Sequence, residues 1–287
     1  MAWNNVFWDA IDGLYWEPKR LGLKSIPREG KIVSDDGVFV PKDYLNFSGG
    51  LYRRVGTAKE NIRAIKQSSE NSLNDIFDLT LAIGSDHIRK RLVFDPLQIE
   101  EAGRTKVVGK NISAHFAWPK ENENLTQHDG FYIGPNSSVC VELKLDASSS
   151  LDQVAKYAFL QKEEEHRRGS AASLGLLYIV PESKRSVFKN KYVDGKESVI
   201  QSILDVENPV SRNSAINMKI SDDVEGFRSV LNRMNISVIS WRDIATALEE
   251  LIEHHGTNSS GDRTAARLLE GLLSQIGMHV GTEVVSD

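Results

Sequence analysis

The spacing of apolar and polar residues predicts helices and strands that alternate along most of the chain. Apolar residues recur at helical spacing in five segments, 57–84, 151–166, 184–205, the stretch that begins at Trp241, and 262–276. Two short, uninterrupted apolar runs, 174–180 and 236–240, are typical of strands that are buried on both faces. A further strand is expected near residues 92–99, whereas residues 103–124 carry little periodic signal.

Residues 129–145 predict a β-hairpin. Its arms, 129–133 and 138–145, flank Gly134-Pro-Asn-Ser137, which has the residue types of a turn. In the second arm Glu142 and Lys144 alternate with apolar residues, and side chains two apart in a strand lie on the same face. Both charged groups are therefore expected on one face of this arm.

The order of elements predicts an α/β fold with a mixed central β-sheet flanked by helices. The hairpin supplies the antiparallel part of this sheet. Residues 1–60 are rich in aromatic and turn residues and are predicted to form an N-terminal elaboration. Residues 61–287 are predicted to form the α/β domain itself.

Composition favours a folded chain but does not by itself indicate a partner. Of the 287 residues, 40% are hydrophobic and 26% are charged, which is enough for a packed core. The formal net charge of -5 gives no overall basic character of the kind that nucleic-acid-binding domains often have. Local basic clusters occur at 89–91, 166–168 and 184–191, for which a solvated surface is the commoner explanation.

Cysteine and motif content excludes several classes of site. Cys140 is the only cysteine, so no internal disulfide and no thiolate zinc site can form, and a reducing, cytoplasmic location is expected. The first nine residues contain an acid and no basic residue, and no apolar run approaches the ~20 residues of a membrane helix. We therefore expect neither a signal peptide nor a membrane partner. Phosphate-loop, dinucleotide-binding, H-E-x-x-H and G-x-S-x-G motifs do not occur.

The hairpin carries the residues from which chemistry can be argued. Asp129 begins the first arm, and Glu142 and Lys144 lie in the second. Paired carboxylates can hold a hard cation, and a nearby ammonium group can stabilise an anionic transition state. The alternatives are a solvated ion pair on an edge strand for Glu142 and Lys144, and an ordinary turn residue for Asp129.

These residues resemble the signature of the PD-(D/E)XK nuclease superfamily, in which an acid on one strand is followed by acid-x-lysine on the next. Gln153-Val-Ala-Lys-Tyr157 resembles the Q-x-x-x-Y helix motif of the exonuclease-like branch of this superfamily. The resemblance covers about residues 65–255. His128 stands where the superfamily pattern has a proline.

The resemblance implies a restriction-endonuclease-like core and a metal-dependent nuclease that hydrolyses phosphodiester bonds, most readily in DNA. It implies that Asp129, Glu142 and the carbonyl of Leu143 bind Mg²⁺ or Mn²⁺. Glu70, near the start of a predicted helix, resembles a further carboxylate of the metal shell, although acids are common there because of the helix dipole.

The same resemblance assigns the remaining site residues. Lys144 would position the attacking water or stabilise the charge of the phosphate, and Gln153 and Tyr157 would orient the lysine, the water or the nucleic-acid backbone. Two alternatives stay open: Gln153 in a capping box with Ser150, and Tyr157 as a half-buried helix residue.

Nucleic acid, with DNA as the preferred expectation, is the expected partner, and a second copy of the chain or another protein could supply DNA recognition. The alternative function is a catalytically silent nuclease-like fold that acts as a nucleic-acid-binding or protein-interaction module. A third interpretation is an unrelated α/β protein with a chance E-x-K.

Overall fold

The computed structural model describes residues 70–101, 103–108, 112–118, 128–145, 149–210, 213–255 and 259–280. The chain divides into two units, Met1–Ser72 and Leu73–Asp287, and nearly all of the described residues belong to the second. The predicted N-terminal elaboration and its boundary at residue 60 lie outside the described residues.

A five-stranded mixed sheet organises the second unit. The strands stand in the order β1-β2-β3-β4-β5; β1, β2 and β3 pair antiparallel, whereas β3, β4 and β5 pair parallel. Their bounds are β1 Lys106–Val107, β2 Gly130–Ile133, β3 Ser137–Leu143, β4 Ser173–Val180 and β5 Asn235–Ser240. The predicted α/β class, with a mixed sheet flanked by helices, is confirmed.

Helices fill the connections between the strands and continue after the last one. Before β2 the chain forms α1 Glu70–Ile83, α2 Asp86–Arg89 and α3 Ile112–Phe116. The parallel crossovers are made by α4 Leu151–Arg168 and then by α5 Glu182–Phe188, α6 Lys196–Leu204, α7 Ser214–Asp222 and α8 Val224–Arg233. After β5 come α9 Trp241–His255 and α10 Ser260–Val280. None of the helices in the described part combines the length and apolar character that crossing a bilayer requires.

Strand β4 is buried on both faces, as its apolar run predicts. On one face Leu176 and Tyr178 belong to a hydrophobic cluster that includes Phe159 of α4. On the other face Gly175 lies so close to Leu97 that an added methyl group would come 2.6 Å from Leu97 Cδ1. Glycine at this position therefore allows close packing on the second face of the sheet.

The prediction of a strand near residues 92–99 is wrong. The chain continues from α2 as a π-helical turn, Lys90–Phe94, and a 3₁₀ turn, Asp95–Leu97. A short apolar run does not distinguish a strand from an enclosed helical turn. Here Leu92 and Phe94 are both fully buried, so the turn is enclosed on several sides.

Candidate active site

The β2–β3 hairpin brings the two predicted carboxylates together. Its register pairs Gly130 with Val141, so one further step along each strand places Asp129 opposite Glu142. The backbone N–H of Leu143 donates a hydrogen bond to Asp129 Oδ2 at 3.0 Å. The Asp129 carboxylate is thereby held against the residue that follows Glu142.

Lys144 shares its face of the sheet with Glu142, as the alternation predicts. Lys144 Nζ lies 2.6 Å from Glu142 Oε1, and the two residues are 6% and 2% exposed. Strand β3 pairs with β2 on one side and β4 on the other, so it is a central strand. The alternative of a solvated pair on an edge strand is therefore wrong.

Helix α4 contributes the two residues of the Q-x-x-x-Y motif. Gln153 Nε2 donates to Glu142 Oε1, and the Tyr157 hydroxyl donates to Glu142 Oε2. Tyr157 OH also lies 3.4 Å from the backbone nitrogen of Asp129, which donates to it. Residues four apart share one face of a helix, and this face of α4 is directed at the carboxylates.

Gln153 serves the helix terminus and the site at once. Its side chain forms the capping box with Ser150, whose backbone N–H donates to Gln153 Oε1 at 3.3 Å. Its Nε2 is directed to Glu142. The two interpretations left open by the sequence are therefore compatible, because the carboxamide has a separate donor and acceptor end.

Burial and a neighbouring negative charge make Glu142 unusual. Burial, followed by the charge of Asp129, raises the pKa of Glu142 to about 7, although Lys144 and Tyr157 act in the opposite direction. Burial and the adjacent Glu142 raise the pKa of Tyr157 well above its ordinary value, so its hydroxyl remains a donor. The site thus concentrates negative charge in a desolvated place, a condition that a bound cation relieves.

The two carboxylates suit Mg²⁺ or Mn²⁺, because such ions do not need a site in which protein side chains supply every ligand. Within the described ranges, no group of three or more His, Cys, Asp or Glu side chains is arranged to hold a metal ion. Mg²⁺ is commonly held by one or two carboxylates, with water and substrate phosphate completing its shell. Asp129 and Glu142 offer two carboxylates of this kind, and Glu142 Oε2 accepts a hydrogen bond from Tyr157.

Of two other residues noted in the sequence, the structure describes the side chain of His128 but not that of Glu70. Glu70 is the first residue of α1, but its side chain lies outside the described set, so its place in the metal shell stays a prediction. His128 is buried, and its Nε2 donates to the carbonyl of Val108 at 3.1 Å. This bond ties the start of β2 to the segment after β1.

Three residues that the sequence analysis did not identify support the site. Trp241 Nε1 donates to the carbonyl of Lys144 at 2.8 Å. Ser149 Oγ donates to Gln153 Oε1 at 2.8 Å and lies 3.2 Å from the hydroxyl of Tyr178. For Tyr178 and Trp241 the available signal was a polar aromatic residue within, or directly after, an apolar strand run, because a buried Tyr or Trp usually finds a hydrogen-bond partner.

Residues of the three basic clusters make structural contacts. Arg89 donates to the carbonyls of Leu81 and Gly84, both at 2.6 Å. Arg168 donates to carbonyls of the β2–β3 turn, including Gly134 O at 2.8 Å. Lys191 Nζ donates to the carbonyl of Ser149 at 3.2 Å. These contacts give Arg89, Arg168 and Lys191 structural roles that need no nucleic acid.

No protein-family model, curated protein or solved structure gives a significant match to this chain. A function for this chain therefore rests on the geometry of the site.

Proposed function

We propose that this chain is a divalent-metal-dependent nuclease that hydrolyses phosphodiester bonds, most readily in DNA. One observation carries the proposal: Glu142 is contacted at once by Lys144, Gln153 and Tyr157, with Asp129 across the hairpin. Five chemically suited side chains from two strands and one helix converge, and Glu142 is 2% exposed. Ionisable groups with shifted pKa values are concentrated at functional sites.

The two carboxylates would hold the metal, together with the carbonyl of Leu143. Mg²⁺ or Mn²⁺, when bound, supplies polarisation of the phosphate and a lower pKa of a coordinated water. Tyr157 and Gln153 each donate to a different oxygen of Glu142, which fixes the plane of the carboxylate. The Leu143 N–H restrains Asp129 in the same way.

Lys144 would supply the positive charge opposite the reacting phosphate. Its ammonium group is held beside Glu142 Oε1 and is largely shielded from water. A fixed charge in a water-poor site stabilises developing negative charge more strongly than one in bulk solvent. The hydrogen bond from Trp241 to the Lys144 carbonyl fixes the backbone from which this side chain extends.

A second function, a catalytically silent module, is favoured by the direct contact between Lys144 and Glu142. This ion pair neutralises one carboxylate without a bound metal ion. A silent module would bind nucleic acid or protein through another surface, and it would cleave neither DNA nor RNA at any Mg²⁺ concentration. The expected cytoplasmic location and a possible partner protein for recognition stay predictions.

The test is cleavage of labelled single-stranded DNA, double-stranded DNA and RNA in Mg²⁺ or Mn²⁺ by Glu142→Gln. We expect this variant to lose at least ~10²-fold in rate, since it removes a charged metal ligand while keeping the shape of the side chain. Glu182→Gln, which changes an exposed acid on α5, is the matched control and should retain the wild-type rate.

Thermal unfolding of both variants separates lost chemistry from lost structure. A folded Glu142→Gln protein that cleaves as fast as the wild type would contradict the nuclease proposal. Wild-type protein that binds nucleic acid but cleaves none of the three substrates would support the silent module.

A further inference from the structure

A series of hydrogen-bonded polar side chains connects Tyr178 on β4 to Glu142 on β3. Tyr178 on β4 is the direct register partner of Glu142 on β3. Its hydroxyl lies 3.2 Å from Ser149 Oγ, which in turn lies 2.8 Å from Gln153 Oε1. Gln153 Nε2 then contacts Glu142 Oε1. Tyr178 is 0% exposed and Ser149 is 4% exposed, so water hardly competes for the bond between them, whereas Gln153 is half-buried.

The donor and the acceptor in each of these hydrogen bonds follow from the chemistry of the groups at the two ends of the series. Glu142, when ionised, only accepts hydrogen bonds, so the amide nitrogen of Gln153 must face it. Gln153 Oε1 then faces Ser149 and must accept from the hydroxyl. Because the serine hydroxyl has a single proton, Ser149 Oγ accepts from Tyr178. A reversed carboxamide would place Oε1 against the carboxylate, and two acceptors would repel each other.

Ser149 itself is anchored from the opposite side. Its carbonyl accepts a hydrogen bond from the Tyr192 hydroxyl at 2.5 Å and from Lys191 Nζ at 3.2 Å. The rings of Tyr178 and Tyr192 are stacked, with centroids 4.9 Å apart. The serine hydroxyl therefore stands at a fixed place, between the end of β3 and the first turn of α4.

We propose that Ser149 and Tyr178 are positioning residues, which orient the carboxamide of Gln153 and through it the carboxylate of Glu142. This inference rests on the proposed nuclease function, since orientation of Glu142 matters for metal binding and cleavage. Neither residue touches the reacting atoms. Groups that hold a metal ligand in place commonly change metal affinity or activity by 10–100-fold when they are removed.

The kinetic test compares Ser149→Ala, Ser149→Thr and Tyr178→Phe in the full-length protein. Ser149→Ala and Tyr178→Phe should raise the Mg²⁺ concentration for half-maximal cleavage and lower kcat, each by about 10-fold. KM for DNA should stay within about twofold, because the DNA-contacting surface is unchanged. Ser149→Thr keeps the hydroxyl and should retain most of the wild-type rate. Tyr178→Phe removes only the hydroxyl that contacts Ser149 and adds no bulk.

A second readout does not depend on catalysis. In ¹⁵N-labelled protein, the side-chain amide signals of Gln153, assigned by their loss in Gln153→Ala, should shift and exchange faster in Ser149→Ala but not in Ser149→Thr. Unchanged Gln153 signals in Ser149→Ala would overturn the inference, and so would shifted signals with unaltered kcat and Mg²⁺ dependence. Absence of cleavage by the wild type would instead remove the nuclease function, while the amide signals still decide whether Ser149 orients Gln153.

Discussion

Glu142 is a buried acid whose carboxylate is held in place by several side chains. Its two oxygens accept hydrogen bonds from a helix, and the ammonium of Lys144 lies beside them. These contacts offset part of the cost of desolvation, yet burial and Asp129 still raise its pKa to about 7. A purely structural ion pair gains nothing from the second carboxylate, whereas in the proposed metal site it would be a second ligand.

Trp241 provides a test at the scale of one hydrogen bond. Trp241→Phe removes the N–H that donates to the Lys144 carbonyl and leaves that buried acceptor without this donor. We expect the free energy of unfolding to fall by about 1–3 kcal/mol, with a lower cleavage rate. Urea denaturation and the cleavage assay measure the two effects.

Trp118→Phe is the matched control for this prediction. Trp118 also donates through Nε1, to Glu163 Oε2 at 2.9 Å, but it is only partly buried and its partner lies on the later turns of α4, away from Gln153 and Tyr157. Its substitution should leave cleavage unchanged. Equal losses of activity in the two variants would contradict a specific role for the Trp241 contact.

Single residues show what the sequence could and could not predict about the site. The two-residue period of a strand was enough to put Glu142 and Lys144 on one face, and the spacing of four residues on a helix did the same for Gln153 and Tyr157. Ser149 could not be identified in this way. Its role depends on contacts with Tyr178 and Tyr192, which are distant in the sequence and meet only after the elements pack.

At the scale of elements, α4 joins the site to the rest of the sheet. Its first turns carry Gln153 and Tyr157, and its last turns carry Glu164, whose side chain is 0% exposed. His115 of α3 and two arginines of α4 contact the Glu164 carboxylate. One of them, Arg168, also donates to carbonyls of the β2–β3 turn. The network thus fixes α4 against the hairpin that carries the carboxylates.

Glu164→Gln should therefore destabilise the fold by about 3 kcal/mol at pH 7, because removing one charge of a buried network leaves the others uncompensated. Burial opposes ionisation of Glu164, but hydrogen bonds from Arg167, His115 and Arg168 outweigh it and hold the pKa well below its usual range. A lowered folded-state pKa stabilises the fold at pH values above the unfolded pKa, near 4.5, and this contribution is lost as the pH falls further.

Urea denaturation at pH 7 and at pH 3.5 tests the sign of this effect. The difference in stability between wild type and Glu164→Gln should be largest at pH 7 and smaller at pH 3.5. Glu225→Gln, at an acid whose side chain is 80% exposed, should change stability by at most a few tenths of a kcal/mol. A difference that grows as the pH falls would contradict the account.

Elements were predictable where their pattern was long or well bounded. The apolar runs that form β4 and β5 stop at Pro181 and Trp241, and a capping box marks the start of α4. The π-helical turn Lys90–Phe94 was mistaken for part of a strand because packing, not local sequence, decides the form of a short apolar run. Helices α7 and α8 were not predicted; both are short, and each begins at a side-chain cap, Asn213 and Asp223 respectively.

On the scale of the whole molecule, the site lies where the sheet changes from antiparallel to parallel pairing. Strand β3 pairs antiparallel with β2 and parallel with β4. Lys144 follows the carboxyl end of β3, and Trp241 follows that of β5. In open α/β sheets, ligands commonly bind beyond the carboxyl ends of the parallel strands. The residues of the proposed nuclease site therefore lie at an edge of the sheet where ligands commonly bind.

The most direct test of this account is single-turnover cleavage of labelled DNA in Mg²⁺ by the wild type and by Lys144→Ala, with EDTA as the metal-free control. We predict cleavage by the wild type, none in EDTA, and a rate at least ~10²-fold lower for Lys144→Ala. Equal rates for the two proteins, or wild-type cleavage that persists in EDTA, would contradict a metal-dependent site built around Asp129, Glu142 and Lys144.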